Sequence, residues 1–335
     1  MLRIAISGYG RIGRCLVWAL HERGLADHFD LVAINDLADF DVLAHLTRFD
    51  STHGRQDIAV HRDGDTLQLG PWQARLLSEK DPSRQPWSDL GVDVVLECAG
   101  KLKTRDSLTG HLDAGAKRVL ASYPVADADL TTVYGVNHAQ LNDEHRIVSN
   151  ASCTTNCLAP VVQVLDQAFG FEQGQMTTIH AYTNDQNLVD KAHNDLYRAR
   201  AAAVSMIPTK TGAAKAVGLV LPHLKGKLDG MAIRVPTLNV SMVDLHCLLK
   251  KEASVDDINQ ALRNAADGPL KDILAVNELP LVSVDFNHQP ASSTVDLAQT
   301  RVMGRQVKVM SWYDNEWGFT NRMIDVLLHM QKSMP

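Results

Sequence analysis

The first half of the chain alternates short apolar runs with helical patterns. Residues 2–7, 31–34, 92–96 and 118–121 are largely apolar, a composition that predicts strands buried on both faces of a sheet. Residues 11–22 have the apolar spacing of an amphipathic helix. Because strands that alternate with helices indicate a doubly wound parallel sheet, we predict an α/β domain over about the first 150 residues.

The second half has a different pattern. Residues 240–247 alternate apolar and polar positions, and residues 281–286 and 307–313 do so in part, which predicts half-buried strands of a mostly antiparallel sheet. Residues 255–266 have helical spacing after Ser254, whose hydroxyl suits a helix N-cap. We therefore expect an α+β domain to follow the first domain.

Length and charge are those of an ordinary globular protein. The 335 residues suffice for two domains, and the net charge of -6 gives no electrostatic reason to bind nucleic acid or an anionic membrane. No apolar run approaches the ~20 residues of a membrane helix, and the first residues lack the features of a targeting leader. We expect a cytoplasmic protein with neither nucleic acid nor a membrane as a partner.

The cysteines predict neither disulfides nor a metal site. They are odd in number and widely spread, and no two of them form a Cys-x-x-Cys motif. The fourteen histidines form no His-Glu-x-x-His motif. Cys153 and Cys157 share a predicted helix face, but a metal site would need further ligands nearby. The five cysteines are Cys15, Cys98, Cys153, Cys157 and Cys247.

A glycine-rich turn joins the first predicted strand to the first helix. Gly8, Gly10 and Gly13 have the Gly-x-Gly-x-x-Gly spacing of a dinucleotide fingerprint, whose glycines allow a tight turn, approach to a pyrophosphate and close strand–helix packing. The helix N-terminus that begins at Arg11 and Ile12 supplies N–H groups for the negative charge. The alternative, for the glycine motif alone, is a tight turn without a ligand.

Asp36 follows the second predicted strand. An acid at this point accepts hydrogen bonds from the adenosine ribose and repels a 2′-phosphate, so we predict NAD rather than NADP as the cofactor. The alternative for Asp36 taken alone is a helix or turn cap.

Cys153 is the candidate nucleophile. It lies between a predicted strand, residues 146–148, and a helix that runs through residues 158–169. The helix N-terminus is expected to lower the pKa of the thiol and to stabilise an oxyanion on an attacked carbonyl. Cys157, one turn later, is expected to be a buried packing residue.

His180 is the candidate base. It ends the predicted strand over residues 176–180, and a helix followed by a returning strand could bring it to Cys153. A single histidine at a strand end is more often structural, so the assignment depends on the presence of the cysteine.

These motifs together resemble phosphorylating glyceraldehyde-3-phosphate dehydrogenase. The resemblance rests first on Ser-Cys-Thr-Thr-Asn-Cys at residues 152–157 and Ile-His-Ala-Tyr-Thr-Asn-Asp-Gln at residues 179–186. It extends along the whole chain, through residues 8–14, 35–37, 134–137, 208–215, 234–237 and 312–316. It implies a Rossmann NAD-binding domain over residues 1–152, a catalytic domain over residues 153–315 and a C-terminal helix, residues 316–335, that packs back onto the first domain.

The resemblance implies roles for individual residues. Cys153 would form a thiohemiacetal with a phosphorylated aldehyde, His180 would act as the base, and inorganic phosphate would attack the resulting thioester. The implied substrate-phosphate site consists of Arg234, Thr183 and Asp185, and the implied site for the attacking phosphate consists of Ser152, Thr154, Thr211 and Gly212, with Arg198 close to both. Asn315 would bind the nicotinamide amide, and Ser122 would make a further cofactor contact. A structural salt bridge is the alternative for Arg234, which lies in an apolar run.

Some positions depart from the family pattern. Ser7 and Ala99 replace an asparagine and a threonine that are common near the cofactor. Lys191, Ala192 and Tyr197 are unusual in the loop over residues 182–205, which in the family reaches toward a neighbouring subunit of a homotetramer. A lysine near the adenosine ribose could weaken discrimination against NADP.

Two other functions are possible for a chain with these motifs. Erythrose-4-phosphate dehydrogenase has the same fold and nucleophile, but Asp36 and the intact segment at residues 181–185 favour the triose phosphate. A non-catalytic binding protein of this fold is expected to have lost Cys153, His180 or Arg234, and all three are present.

Overall fold

A computed structural model describes residues 1–333. They form two compact units, one with residues 1–132, 138–151 and those from 320 onward, the other with residues 133–137 and 152–319. The last two residues of the helix predicted over residues 316–335 lie outside the described part of the chain. None of the helices formed by residues 1–333 has the length and apolar character needed to cross a membrane.

The first unit is an α/β domain. Its strands and helices are β1 (Leu2–Ser7), α1 (Arg11–Glu22), β2 (Phe29–Asn35), α2 (Phe40–Arg48), β3 (Phe49–Asp50), β4 (Gly54–Arg55), β5 (Val60–Asp63), β6 (Thr66–Leu69), β7 (Trp72–Leu77), β8 (Val94–Glu97), α3 (Arg105–Asp113), β9 (Arg118–Ala121), β10 (Leu130–Thr131) and β11 (Ile147–Ser149). One sheet has the order β10-β11-β9-β8-β1-β2-β7-β6-β5, while β3 pairs with β4. From β10 to β7 every pairing is parallel, which confirms the predicted doubly wound sheet.

One edge of this sheet differs from the prediction. β5 and β6 form an antiparallel hairpin that continues onto β7, so the sheet is mixed rather than parallel throughout. Gly64 has φ +57 in the connecting turn. Gly64 and Asp65 form the two-residue loop, and a Gly-Asp pair between two strand-like segments is a hairpin signal.

The core of the first unit lies between the sheet and its helices. Val95 and Val119 on neighbouring strands pack in one cluster with Leu108 of α3, and all three side chains are fully buried. Burial of a side chain of this size stabilises the fold by roughly 1.5–3 kcal/mol. Each predicted apolar run therefore forms part of this core, because both faces of a parallel sheet are covered.

The second unit is α+β. It contains α4 (Cys153–Phe169), β12 (Phe171–Ala181), β13 (Ile207–Lys210), α5 (Ala213–Val220), β14 (Leu228–Val235), β15 (Ser241–Leu249), α6 (Val255–Asp267), β16 (Leu274–Asn277), β17 (Ser293–Asp296), β18 (Arg301–Met303) and β19 (Gln306–Tyr313). Its sheet has the order β13-β14-β12-β15-β19-β17-β16, with β18 paired to β19. β14 with β12 and β17 with β16 are parallel pairs and the others are antiparallel, as predicted.

Two helices of the second unit confirm their predicted positions. α4 packs across β12, β15, β17 and β19 and buries Leu158 and Val162 completely. α6 begins after Ser254, whose hydroxyl accepts the Asp257 N–H at 3.1 Å while the Asp257 carboxylate accepts the Ser254 N–H at 2.9 Å. This capping box is the N-cap that Ser254 predicted.

The strand predicted at residues 281–286 is wrong. Ser283–Phe286 form a short 3₁₀ helix, with Val282 59% and Val284 72% exposed while Phe286 is buried. The Asp285 carboxylate accepts the Val282 N–H at 2.8 Å and closes the turn. An alternating pattern of so few residues does not distinguish an edge strand from a capped turn.

The last described element is α7 (Trp317–Ser333), which lies within the helix predicted over residues 316–335. From residue 320 onward this helix belongs to the first unit. Asp325 accepts a hydrogen bond from Arg23 of the segment after α1 at 2.7 Å, and Arg118 of β9 donates to Ser333 at 3.1 Å.

Candidate active site

The glycine turn in the first unit has the geometry that the fingerprint requires. Gly8 has φ +90, and a Cβ there would lie 2.3 Å from the Ala99 nitrogen. A Cβ on Gly13 would lie 2.4 Å from the Gly8 carbonyl oxygen, whereas one on Gly10 meets no described atom within 4 Å. Gly8 and Gly13 therefore serve the turn and the packing of α1, while Gly10 leaves open space above the helix N-terminus.

A cavity of about 570 Å³ lies beside this turn and is lined by Gly8, Gly10 and Asp36. The Asp36 carboxylate accepts the Tyr9 N–H at 2.7 Å and the Ala38 N–H at 2.9 Å. A carboxylate has about four lone-pair sites, so these turn contacts leave acceptors for ribose hydroxyls. The lining residues fit a dinucleotide. Asp36 can cap the turn and still accept hydrogen bonds from a ligand.

Three further predicted cofactor residues, Arg11, Ile12 and Ser122, belong to the first unit. Arg11 and Ile12 open α1 with half-buried side chains, and the Arg11 guanidinium forms an ion pair with Asp50. What Arg11 offers to an anion is therefore its backbone N–H. Ser122 follows β9, and its N–H donates to the Glu97 carbonyl at the end of β8 at 2.9 Å.

In the second unit Cys153 is the first residue of α4. Ser152 is the N-cap, and its hydroxyl accepts the Thr155 N–H at 3.1 Å. Ala151 before it has φ +56, a left-handed conformation that turns the chain sharply into the helix. The sulfur therefore lies at the helix N-terminus predicted from the sequence.

His180 lies near the end of β12 and faces the sulfur. Its Nε2 is 3.6 Å from Cys153 Sγ, within the hydrogen-bond range for sulfur. Its Nδ1 is 2.6 Å from the Ala181 carbonyl oxygen, which accepts if Nδ1 carries the proton. That tautomer leaves the Nε2 lone pair directed at the thiol, the arrangement that a general base requires.

Arg234 is the register partner of His180 on the neighbouring strand β14. Its Nη1 lies 2.8 Å from His180 Nδ1 and donates to the Ala181 carbonyl at 3.0 Å. When Nδ1 carries the proton, neither the ring nitrogen nor the guanidinium can accept a hydrogen bond from the other. Both then donate to the Ala181 carbonyl oxygen.

Burial shifts the pKa values of both members of the pair. Burial raises the pKa of the Cys153 thiol above its ordinary value, although the Arg234 charge and the N–H groups at the helix start lower it. Burial lowers the pKa of His180 to about 3, and the Arg234 and Arg198 charges act in the same direction. The N–H groups at the helix start therefore lower the pKa of the thiol as predicted, but burial outweighs them.

Cys157 is a packing residue, as predicted. It is fully buried, and its thiol donates to the Ser293 hydroxyl at 3.5 Å. All five cysteines are free thiols.

Two guanidinium groups make the site attractive to anions. Within residues 1–333 Arg234 pairs with no carboxylate. Burial lowers the pKa of its guanidinium, and the nearby Arg198 charge lowers it further. Arg198 itself forms an ion pair with Asp185 and donates to Thr209 at 3.0 Å. A half-buried guanidinium without a carboxylate partner needs another anion, which disfavours the structural salt bridge as the explanation of Arg234.

Two helix N-termini lie close together in this unit. Thr155, in the first turn of α4, donates to the carbonyl of Ala213, the first residue of α5, at 3.3 Å. Gly212 is the N-cap of α5, and the Thr211 hydroxyl accepts the Ala213 N–H at 3.2 Å. Ser152 and Gly212 therefore mark two adjacent helix starts, each suited to an anion.

The other predicted residues are placed as follows. Thr183 is half-buried beyond β12, and its N–H lies 3.4 Å from the Gln186 side-chain oxygen. Thr154 is buried, and its hydroxyl lies 2.8 Å from the Tyr313 hydroxyl, so it points away from solvent. Asn315 is 7% exposed, and its Oδ1 accepts a hydrogen bond from Ser241.

Tyr313 is a residue that the sequence analysis did not single out. Its hydroxyl lies 2.8 Å from Thr154 and 2.8 Å from Thr178, and its ring meets His180 edge to face at 6.0 Å. The only local signal in the sequence was an aromatic residue directly before an acidic residue. Such a residue does not predict contact with a histidine that is distant in sequence.

Comparison with known proteins decides the family. The family description "Glyceraldehyde 3-phosphate dehydrogenase, NAD binding domain" matches residues 2–105, and "Glyceraldehyde 3-phosphate dehydrogenase, C-terminal domain" matches residues 152–315. This chain belongs to the glyceraldehyde-3-phosphate dehydrogenase family. The chain is accordingly an NAD-dependent oxidoreductase of that family.

Relatives that carry this name match along the whole length. The glyceraldehyde-3-phosphate dehydrogenase of Xanthobacter flavus is 57% identical over 332 residues, 99% of each chain. That of Pseudomonas aeruginosa is 55% identical over 327 residues, 98% of this chain and 97% of its own. That of Mycobacterium avium is 52% identical over 338 residues, 99% of each chain. These names favour the triose phosphate enzyme over erythrose-4-phosphate dehydrogenase.

Proposed function

We propose that this member of the glyceraldehyde-3-phosphate dehydrogenase family oxidises D-glyceraldehyde 3-phosphate to 1,3-bisphosphoglycerate with NAD and inorganic phosphate, as a step of glycolysis and gluconeogenesis. The contact of 3.6 Å between Cys153 Sγ and His180 Nε2 carries the proposal, because it joins a nucleophile to a base. We assign NAD binding to residues 1–152 and the chemistry to residues 153–315.

The first step is attack on the aldehyde. The Cys153 thiol gives its proton to His180 Nε2, 3.6 Å away, as the sulfur bonds to the aldehyde carbon. The resulting thiohemiacetal oxygen receives hydrogen bonds from the protonated Nε2 and from N–H groups at the start of α4. Burial and the nearby Arg234 charge make the imidazolium costly, so it readily returns this proton to the Cys153 sulfur once the thioester bond has been broken.

The oxidation requires a hydride acceptor. Bound NAD would supply the acceptor for the hydride of the thiohemiacetal carbon. This chain contributes the glycine turn and Asp36 for the nucleotide, with Ser122 as a further contact, and Asn315 for the nicotinamide amide. The product of this step is a thioester on Cys153.

Inorganic phosphate then attacks the thioester carbon, and the Cys153 thiolate leaves as the acyl phosphate forms. We assign the substrate phosphate to Arg234, Thr183 and Asp185, with Asp185 acting through its ion pair with Arg198. We assign the attacking phosphate to the two helix N-termini, with Ser152, Thr211 and Gly212 around it and with Thr154 contributing its backbone alone, because its hydroxyl bonds to Tyr313. Arg198 serves both anions.

The exposed surface supports a homotetramer. In the loop over residues 182–205 Leu188 is 80% and Leu196 is 83% exposed, and Val204 and Met206 near its end are also largely exposed. Large apolar side chains so accessible to solvent are typical of an interface. We propose that this loop packs against a second copy of the chain and that the assembly is cytoplasmic.

A single-turnover experiment tests the thioester. Without phosphate, wild-type protein mixed with NAD and glyceraldehyde 3-phosphate should reduce about one NAD per site and then stop, because the thioester accumulates. Addition of phosphate should restart NAD reduction. Continuous reduction without phosphate would overturn the phosphorolysis step, and no reduction in either phase would favour a non-catalytic binding protein.

A further inference from the structure

Ser241 is a buried hydroxyl between two parts of the candidate site. It is the first residue of β15 and is 2% exposed. Its Oγ accepts the Ala181 N–H at 3.1 Å and donates to the Asn315 Oδ1 at 2.9 Å. The Ala181 carbonyl is the acceptor for the His180 ring. One side chain therefore joins the residue that orients the base to the asparagine assigned to the nicotinamide.

The direction of these hydrogen bonds is determined by the donors. A backbone N–H can only donate, so the single hydroxyl proton of Ser241 is left for Asn315. With its oxygen engaged by Ser241, the Asn315 amide presents its NH₂ group in the other direction. Two N–H donors suit the carbonyl oxygen of a carboxamide, which is the group that Asn315 is proposed to bind.

The backbone before Ser241 is strained. Val240 has φ +68 and is 3% exposed, an outlying conformation for a β-branched residue. On its other side Asn239 donates to the Asp314 carboxylate at 2.8 Å. The residues flanking Val240 thus bond to the consecutive residues Asp314 and Asn315. Strain of this kind persists only where the surroundings over-determine it, and it clusters at functional sites.

We propose that Ser241 is a positioning residue that orients the Asn315 amide toward the nicotinamide carboxamide. The inference rests on the proposed role of Asn315. The inference also predicts that the Ser241 hydroxyl holds the end of β12, and therefore His180, in a constant position relative to the Asn315 amide.

A double-mutant cycle on the full-length protein tests this proposal, with NAD affinity measured by calorimetry as the readout. Ser241→Ala should weaken NAD binding by about five- to tenfold, the effect of one lost hydrogen bond. In an Asn315→Ala background the same substitution should change the affinity by less than about twofold, because a residue that acts through Asn315 is not additive with it. Ser241→Cys, with a weakly bonding thiol, should be intermediate.

The matched control is Ser293→Ala. Ser293 is fully buried, and its hydroxyl lies 2.6 Å from that of Ser311 in the same sheet. Ser293→Ala should lose about as much stability as Ser241→Ala and should keep its NAD affinity. Equal effects of Ser241→Ala in both backgrounds, or an equal loss of affinity in Ser293→Ala, would overturn the proposal. If Ser241→Ala does not fold, Ser241→Cys takes its place in the cycle. Turnover of the wild type with phosphate, measured alongside, separates failure of this inference from failure of the proposed function.

Discussion

His180 Nε2 lies 3.6 Å from Cys153 Sγ, although the two residues come from different elements. Cys153 begins α4, and the chain then crosses the sheet and returns along β12 to His180. The position of each is independently determined, the sulfur by the Ser152 cap and the ring by the Ala181 carbonyl. This geometry is pre-organised for transfer of the thiol proton to the ring.

Arg234 is expected to control the reactivity of Cys153. Burial raises the pKa of the thiol and the Arg234 charge opposes that rise, so Arg234→Gln should move alkylation of Cys153 to higher pH. The rate of reaction with iodoacetamide across neutral and alkaline pH measures this. Arg263→Gln, which removes an exposed guanidinium 2.7 Å from Glu278, should leave the profile unchanged. An unshifted profile for Arg234→Gln would show that its charge does not reach the sulfur.

His180 should make the protein less stable in acid. Burial lowers its pKa from 6.5 to about 3 in the folded chain, so only the unfolded chain binds this proton between those values. Stability present above pH 6.5 is therefore lost as the pH falls below it, at up to about 1.4 kcal/mol per pH unit. In thermal melts His180→Gln should gain on the wild type as the pH is lowered. A constant difference between the two would contradict a buried, neutral His180.

The cap of α4 is expected to have two roles. Ser152→Ala should cost roughly 1 kcal/mol of stability, because the Thr155 N–H loses its acceptor. Ser254→Ala removes an equivalent cap from α6 and should cost a similar amount. Only Ser152→Ala should also raise the phosphate concentration needed for half-maximal rate. Phosphate dependence that is unchanged in both variants would remove Ser152 from the phosphate site.

Gly10 and Gly13 should differ when replaced by alanine. A Cβ on Gly10 meets open space, so Gly10→Ala should keep the melting temperature of the cofactor-free protein and lose NAD affinity by at least tenfold. A Cβ on Gly13 would lie 2.4 Å from the Gly8 carbonyl oxygen, so Gly13→Ala should destabilise the protein itself. Retained NAD affinity in Gly10→Ala would place the pyrophosphate elsewhere.

Sequence patterns predict the features of the site that depend on short segments alone. The fingerprint in its strand–helix context, Cys153 at a helix start and His180 at a strand end all follow from spacing within short segments. The strand predicted at residues 281–286 failed because a short alternating pattern was outweighed by the Asp285 cap. The β5–β6 hairpin is not predicted by apolar runs, because its strands are largely polar and its signal is the Gly64-Asp65 loop.

What sequence could not predict depends on contacts between distant segments. Burial raises the pKa of Cys153, and its effect is larger than that of the helix N–H groups. The side chains that bury the sulfur cannot be identified from local sequence patterns. Ser241 and Tyr313 meet because β15 and β19 pair in one particular register. Neither residue type indicates a role at its own position, so their contacts with Asn315 and His180 become visible only in the folded chain.

The most direct test is phosphate-dependent reduction of NAD by the purified wild type, with glyceraldehyde 3-phosphate and erythrose 4-phosphate compared at equal concentration. Cys153→Ser serves as the control for the nucleophile, and Cys157→Ala, which alters a buried packing residue, serves as the matched cysteine control. We predict fast reduction with the triose phosphate that is kept in Cys157→Ala and lost in Cys153→Ser. Preference for erythrose 4-phosphate, or reduction that survives in Cys153→Ser, would contradict the account.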